Sequence, residues 1–173
     1  MITFGIYISD GLLTLRNFER DGLRKILSWY NSSGLYRYAT GIEGDITLGE
    51  LEAQFDAING SDREFFLGIY RQPDKRLIGV ITGSLVQRTL WIKLLAIAAE
   101  YMRWGYGTAA TELLLDHFGK MGYASDCCLS VIEKNDAGRS FWIKNGFTDL
   151  KKLRKHQLFE GIEHDIIIMH KVI

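Results

Sequence analysis

Between Leu90 and Ile132 the chain reads strand, glycine turn, long helix, strand, and this crossover restricts the fold more than any other stretch. Two strands joined through a helix return to the same sheet side by side and parallel. Ahead of the crossover, the apolar runs Glu64–Tyr70 and Leu77–Val86 flank a turn at Arg71–Arg76 that holds the only proline, and they read as an antiparallel hairpin. Behind it, Leu153–Phe159 and His164–Val172 flank Glu160-Gly161-Ile162-Glu163 and form a second hairpin. One crossover set among antiparallel strands predicts an α/β protein. Its central sheet is mixed but mostly antiparallel, with about six to seven strands flanked by about four helices.

The helices announce themselves by periodicity and caps. After a short strand around Leu12–Arg16, Leu23, Ile26, Leu27 and Tyr30 recur at helical spacing. Thr47 precedes Glu50 by three positions, a capping box, and Leu48, Leu51, Phe55 and Ile58 follow as an apolar stripe. The helix after the glycine turn carries Ala110, Leu113, Leu114, His117, Phe118 and Met121 on one face. Ala137–Lys144 reads as a short helix stopped by Asn145-Gly146. No repeat, low-complexity tract or linker divides the chain, so residues 1–173 read as one domain.

Lysine plus arginine equals aspartate plus glutamate, 21 each. No global field therefore draws the chain to nucleic acid or to an anionic membrane. Cys127 and Cys128 are the only cysteines, and neighbours cannot close the long loop that makes a disulfide worthwhile. They read as two small strand residues facing opposite sides. No histidine or second cysteine pair stands at ligand spacing, so the sequence points to no metal site. The stretch Met1–Ser9 lacks a basic region and meets Asp10 early, and no apolar run approaches the roughly 20 residues that span a bilayer. The expectation is a cytoplasmic protein.

Chemistry concentrates at Met102-Arg103-Trp104-Gly105-Tyr106-Gly107-Thr108, where a strand gives way to a helix. A helix N-terminus offers unpaired N–H groups and a partial positive charge to an anion. Glycines there let the main chain approach a diphosphate closely. No Gly-Lys-Ser/Thr follows, which excludes a P-loop. Position 110 is alanine and the strand follows an antiparallel hairpin, which excludes the dinucleotide fingerprint.

With these residues the chain resembles the GNAT superfamily of acyl-CoA-dependent N-acyltransferases, whose phosphate turn reads Arg/Gln-x-x-Gly-x-Gly/Ala. A second family motif, Asn-x-x-Ala-x-x-Phe/Leu-Tyr-x-Lys-x-Gly-Phe, corresponds to Asn135-Asp136-Ala137-Gly138-Arg139-Ser140-Phe141-Trp142-Ile143-Lys144-Asn145-Gly146-Phe147. The opening Leu13–Phe18 and the ending Gly161…Asp165…Met169 look like the branch with spermidine, aminoglycoside and ribosomal-protein N-acetyltransferases. The resemblance implies acetyl-CoA as cosubstrate. Backbone groups of Leu95, Ala96 and Ile97 would pair with the pantetheine arm, and amides from Met102 to Thr108 would hold the diphosphate. Asn135 would hydrogen-bond the pantetheine, and the helix bearing Phe141, Trp142 and Lys144 would border the thiol and adenine ends.

Three positions depart from the family pattern. Met102 stands at the Arg/Gln position with Arg103 beside it, and Gly138 replaces alanine. Trp142 replaces the tyrosine that protonates the leaving thiolate in many members, and an indole cannot act as an acid near neutral pH. The strand before the turn carries Lys93 and no acid, and Glu100 is either a relay or a solvated side chain, so no catalytic residue is assigned. Tyr36 and Tyr38 either line an amine pocket or pack at the surface. His117, His156, His164 and His170 read as structural, and Lys151, Lys152, Arg154 and Lys155 as a solvated strand edge. Trp104 is expected to pack against the cofactor or the first helix. The implied activity is acetyl transfer to a primary amine of a small molecule or a protein N-terminus, by a monomer or homodimer. The alternative is an acyl-CoA-binding module without efficient turnover.

Overall fold

A computed structural model describes residues 5–32, 34–72 and 74–173. The first four residues, Ser33, and the proline of the expected turn at position 73 lie outside the described residues. In chain order the elements are β1 (Tyr7–Ser9), β2 (Leu13–Asn17), α1 (Leu23–Tyr30), α2 (Arg37–Thr40), α3 (Leu48–Asn59), β3 (Glu64–Arg71), β4 (Arg76–Val86) and β5 (Thr89–Ile97). They continue with α4 (Tyr106–Lys120), β6 (Asp126–Ile132), α5 (Asp136–Lys144), β7 (Thr148–Phe159) and β8 (Ile162–Val172). The strands form one mixed sheet in the order β1-β2-β3-β4-β5-β6-β8-β7. The described β5–β6 pair is parallel, and its neighbours on both sides are antiparallel, as the central crossover requires.

Among the described residues the sheet has eight strands against an expected six to seven, and five α-helices flank it against an expected four. The additions are β1 and α2. β1 is three residues long and exists through its register with β2, Tyr7 against Arg16 and Ser9 against Thr14, which no local pattern announces. α2 is a single turn inside the Ser/Gly/Tyr loop, ended by Gly41 in the left-handed region at φ 68°.

Both faces of the sheet are covered. Along β3, Phe65, Leu67 and Ile69 meet α4, while Phe66 faces α1 and α3, the alternation a twice-covered strand needs. The buried stripe of α4 is Tyr106, Ala110, Thr111, Leu114, Leu115 and Phe118. This corrects the expected stripe by a rotation. Met121 is exposed and His117 only half-buried, because the helix settles on Leu115 and Tyr106 where the sheet presents room. Each fully buried Leu or Phe is worth about 1.5–3 kcal/mol, so this face fixes the helix axis and thereby aims its N-terminus.

The C-terminal hairpin turns through Glu160 and Gly161, both at positive φ (52° and 69°) as a two-residue type I′ turn demands. Its tip docks on α2. Phe159 packs on Tyr38 at 5.5 Å between ring centroids, Arg37 pairs with Glu160, and Glu43 accepts from the Glu160 amide. His164 is buried, with Nε2 3.2 Å from the Phe159 carbonyl, a structural contact. β7 is the sheet edge, and its basic run lies there. Lys152 bridges Glu133 and Asp165, and the register breaks at Asp149/Lys151 and Leu153/Gln157 roughen the edge against further pairing. Among the described residues no helix is long and apolar enough to cross a membrane.

The capping box of α3 is formed as its sequence requires. The Glu50 amide donates to Thr47 Oγ1 at 3.2 Å, and the Thr47 amide donates to Glu50 Oε2 at 2.8 Å. Thr47→Ala should lower stability by about 1 kcal/mol in urea unfolding. The bonds from the Thr47 backbone and side chain hold the Glu50 carboxyl below its ordinary range. Its contribution is therefore present at neutral pH and lost as pH falls through that lowered pKa. The gap between wild type and Thr47→Ala should accordingly narrow in acid; a gap that stays constant would contradict the coupling.

Candidate active site

The site originates in a defect of strand pairing. β5 and β6 pair over four positions, from Thr89↔Asp126 to Ile92↔Leu129, and then part. On the other side of β5 the register with β4 jumps, Thr82 opposite Leu94 and Gly83 opposite Ile92, so Lys93 is an extra residue in a bulge. A bulge bends its strand and increases local twist. Here it turns β5 away from β6 at the position where their pairing ends. Beyond it the facing edges of two neighbouring strands stand open.

Helix N-termini border this gap on both sides. α4 begins at Gly105, in the left-handed region at φ 84°, with Arg103 also left-handed at φ 63°. The first helical bond is the Ala109 amide to the Gly105 carbonyl at 3.0 Å, and no side chain caps the helix, which leaves the first-turn amides for a ligand. The two glycines serve different ends. A side chain at 105 would meet no atom within 4 Å, so that glycine answers to backbone conformation. A Cβ at 107 would lie 3.2 Å from the Phe141 ring and 3.8 Å from Ile97, so that glycine answers to close packing.

α5 is capped by Asn135, whose Oδ1 accepts from the Gly138 amide at 3.0 Å. A Cβ at 138 would come within 2.4 Å of the Asn135 amide nitrogen, so the glycine at this position is matched to the cap. With Oδ1 so occupied, the Asn135 NH₂ is the group left to donate. Trp142 is buried, edge-on to Phe141 at 4.8 Å and to Phe147 at 5.2 Å.

These parts enclose a cleft of about 750 Å³. Of the residues singled out in the sequence, Leu95, Ile97, Met102, Arg103, Gly105, Gly107, Thr108, Asn135, Phe141, Trp142, Lys144 and Tyr38 line it. Ala96, Trp104, Tyr106 and Tyr36 do not. Ala96 faces α1 and α3, and Tyr106 is buried against Tyr101 at 6.2 Å. Trp104 is 70% exposed and packs on neither the first helix nor the cleft, so only its backbone belongs to the turn. Tyr36 is buried, and its hydroxyl donates to the Ile97 carbonyl at 3.0 Å. Burial pushes its phenol up, and a backbone bond from Ala99 pulls against that shift. Tyr36 thus ties the loop after α1 to the end of β5, which leaves Leu95 nearer the middle of the open edge.

Lys93, Tyr101, Ser130 and Ser140 also line the cleft, although no local pattern marks them as lining residues. Lys93 is paired with Glu64, and Ser130 sits where β6 has left β5; both depend on pairings between distant segments. Arg103 and Lys144 join no ion pair among the described residues, and both line the cleft, Arg103 just before α4 and Lys144 in the last turn of α5. Glu100 is exposed and does not line the cleft. Basic side chains, free amides and an open strand edge in one apolar cleft can hold an extended ligand that is anionic at one end.

Comparison with known proteins agrees with this geometry. The sequence description of the Acetyltransferase (GNAT) family matches residues 23–147. A search of curated protein sequences finds no match. Among solved structures, the chain is similar to spermidine N-acetyltransferase from Vibrio cholerae in complex with CoA and spermine, with a TM-score of 0.80 and 22% identity over 94% of this chain and 96% of that one. It is also similar to a Salmonella typhimurium acetyl transferase that modifies the N-terminal serine of the ribosomal protein L7/L12, with a TM-score of 0.84 and 15% identity over 97% and 99%. A probable acetyltransferase from Chromobacterium violaceum aligns with a TM-score of 0.85 and 12% identity over 97% of this chain and 86% of that one. Identities this low speak to the fold, while the family match reaches from α1 through α5 and takes in both motifs. The chain belongs to the GNAT family of acetyltransferases.

Proposed function

We propose that the protein transfers an acetyl group from acetyl-CoA to a primary amine by direct attack. The observation that carries this reading is the parting of β5 and β6 at Lys93 between two helix N-termini. Pantetheine would add to the open edge around Leu95, with the Asn135 amide donating to it. The diphosphate would lie on the amides from Met102 to Thr108, with Arg103 and Lys144 supplying charge. The amine nitrogen attacks the thioester carbonyl carbon, a C–N bond forms and the C–S bond breaks. CoA leaves as thiolate and takes a proton, while the ammonium proton goes to water. A thiol with pKa near 8.5 leaves readily without a strong acid, so Trp142 in place of tyrosine slows such a step without forbidding it. The two free, buried cysteines suit a reducing, cytoplasmic setting.

The acceptor would arrive from the side of α1 and α2. A cavity of about 170 Å³ shares Ala39, Lys93 and Leu94 with the main cleft. It shares Tyr30, Thr40 and Ile42 with a further cavity of about 230 Å³, rimmed by Glu43, Asp45 and Glu160. Arg37 also lines the outer cavity and is paired with Glu160, which leaves Glu43 and Asp45 as its surplus carboxylates and favours a small molecule with more than one ammonium over a protein N-terminus. The Tyr30 hydroxyl is buried beside the path with no hydrogen-bond partner among the described residues, and burial pushes its phenol well above the ordinary value.

Calorimetric titration with acetyl-CoA tests the cofactor site. Wild type should bind at micromolar concentration, and Thr108→Glu, which puts a carboxylate into the cleft at the first turn of α4, should lose binding while keeping its melting profile. A folded wild type that does not bind acetyl-CoA would overturn the proposal, and binding without CoA release in any amine screen would favour a binding module. Without a base on the enzyme, kcat/KM for an alkyl amine should rise about tenfold per pH unit between pH 7 and 9, following the neutral amine; a plateau in that range would reveal an enzymic base. Tyr30→Phe should leave stability unchanged or higher, since it removes an unpaired buried hydroxyl, and should raise the KM for a polyamine about tenfold, the worth of a bond of about 1.5 kcal/mol. An unaltered KM would remove Tyr30 from the acceptor path.

A further inference from the structure

Among residues that do not line the cleft, on the face of the sheet opposite α4, three side chains of different chemistry converge. Asp126 and Cys128 are two residues apart on β6 and so share a face, while Cys127 between them points into the core under α4. His170 lies directly across from Cys128 in the β6–β8 register. One atom of each, a carboxylate oxygen, the thiol sulfur and an imidazole nitrogen, lies within 4.8 Å of the other two. Asp126 Oδ1 and His170 Nε2 are 3.8 Å apart. That is too long for a hydrogen bond, and it is the spacing of two ligands on one ion. With bonds of about 2.0–2.3 Å, tetrahedral zinc sets its ligand atoms about 3.3–3.8 Å apart, so about an ångström of side-chain adjustment closes the set.

The surroundings suit an ion. Asp126 Oδ1 accepts from Thr89 Oγ1 at 2.9 Å and Oδ2 from Ser125 Oγ at 3.0 Å. Two hydroxyls therefore hold the carboxylate in place, as outer partners do for metal ligands. The side chains of Asp126 and His170 are 27% and 30% exposed while Cys128 is buried, giving the group a dry floor and one side open to water. The adjacent cation, Lys171, is turned to the other face, where it donates to the Asn145 carbonyl. A carboxylate, a thiolate and a neutral imidazole balance a divalent charge, and the sulfur selects against magnesium and calcium.

We propose that Asp126, Cys128 and His170 form a binding site for a borderline-soft divalent cation of the zinc class, with the fourth position open to water. Binding forms a metal–sulfur bond and releases the Cys128 proton to solvent. It ties β6 to β8 on the face away from α4. The site is independent of acyl transfer, and the sequence conceals it because only the β6–β8 pairing brings His170 to Cys128.

Zinc titration of the full chain by calorimetry, with cobalt absorption as a second readout, tests this. Wild type should bind one equivalent of zinc and gain melting temperature. Cobalt should develop thiolate-to-metal absorption. Cys128→Ser and His170→Gln should each weaken binding at least tenfold while keeping the metal-free melting temperature, and Thr89→Val should weaken it about 10- to 100-fold by releasing the carboxylate. Acetyl-CoA affinity should be the same in all variants, which separates this result from the acyltransferase reading. No saturable zinc binding by folded wild type, or equal binding by Cys128→Ser and His170→Gln, would overturn the proposal.

Discussion

The structure turns on a pairing that stops. β5 and β6 hold each other through four residue pairs, enough to fix their direction and spacing, and the bulge at Lys93 then takes β5 away. A fully zipped parallel pair would satisfy its own backbone groups and leave no opening. The bulge converts part of that internal pairing into a capacity for external pairing, and the neighbouring elements keep the gap in shape. Tyr36 ties the far end of β5 from one side, and α4 bears on it from the other through Tyr106, Ala110 and Leu114. The glycines at 105 and 107 let α4 come this close with its amides forward.

Charge is distributed with the same economy. Acids and bases balance over the whole chain, yet among the described residues Arg103 and Lys144 line the cleft without an ion-pair partner, while the outer cavity sets Glu43, Asp45 and Glu160 around the single cation Arg37. Opposite local fields can thus sit at the two ends of one path without a net charge that would draw polyanions or polycations to the whole surface. Most ion pairs, such as Arg20–Asp56 and Lys120–Asp116, are exposed and add little stability each.

Features that depend on local chemistry were legible in the sequence. Thr47 and Glu50 announce their own box, Asn145-Gly146 stops α5, and Gly105 and Gly107 mark the start of α4, which has no side-chain cap and lines the cleft. Features that depend on distant partners were not. β1 has three residues and no pattern, and exists because β2 receives it. The stripe on α4 was displaced because Met121 satisfies periodicity as well as Leu115 does, and only the sheet below decides between them. Tyr36 and Tyr38 look alike in one loop, yet one is pinned to a strand carbonyl and the other stacks on Phe159 beside the cleft. Trp104 keeps its indole in solvent, since the turn needs its backbone and not its ring.

The strand order has a consequence in time. β8 is the last strand in the chain but lies inside the sheet, between β6 and β7. During synthesis β6 emerges long before its antiparallel partner, and β7 has no neighbour at all until β8 follows. Through that interval Cys127–Ile132 is an apolar strand with one edge bare, the form of chain most prone to pair with another copy of itself. Insertion of β8 closes the sheet and, through the hairpin tip, seats Phe159 on Tyr38. The same event that covers this bare edge of β6 thus also places Phe159 against Tyr38 at the wall of the cleft.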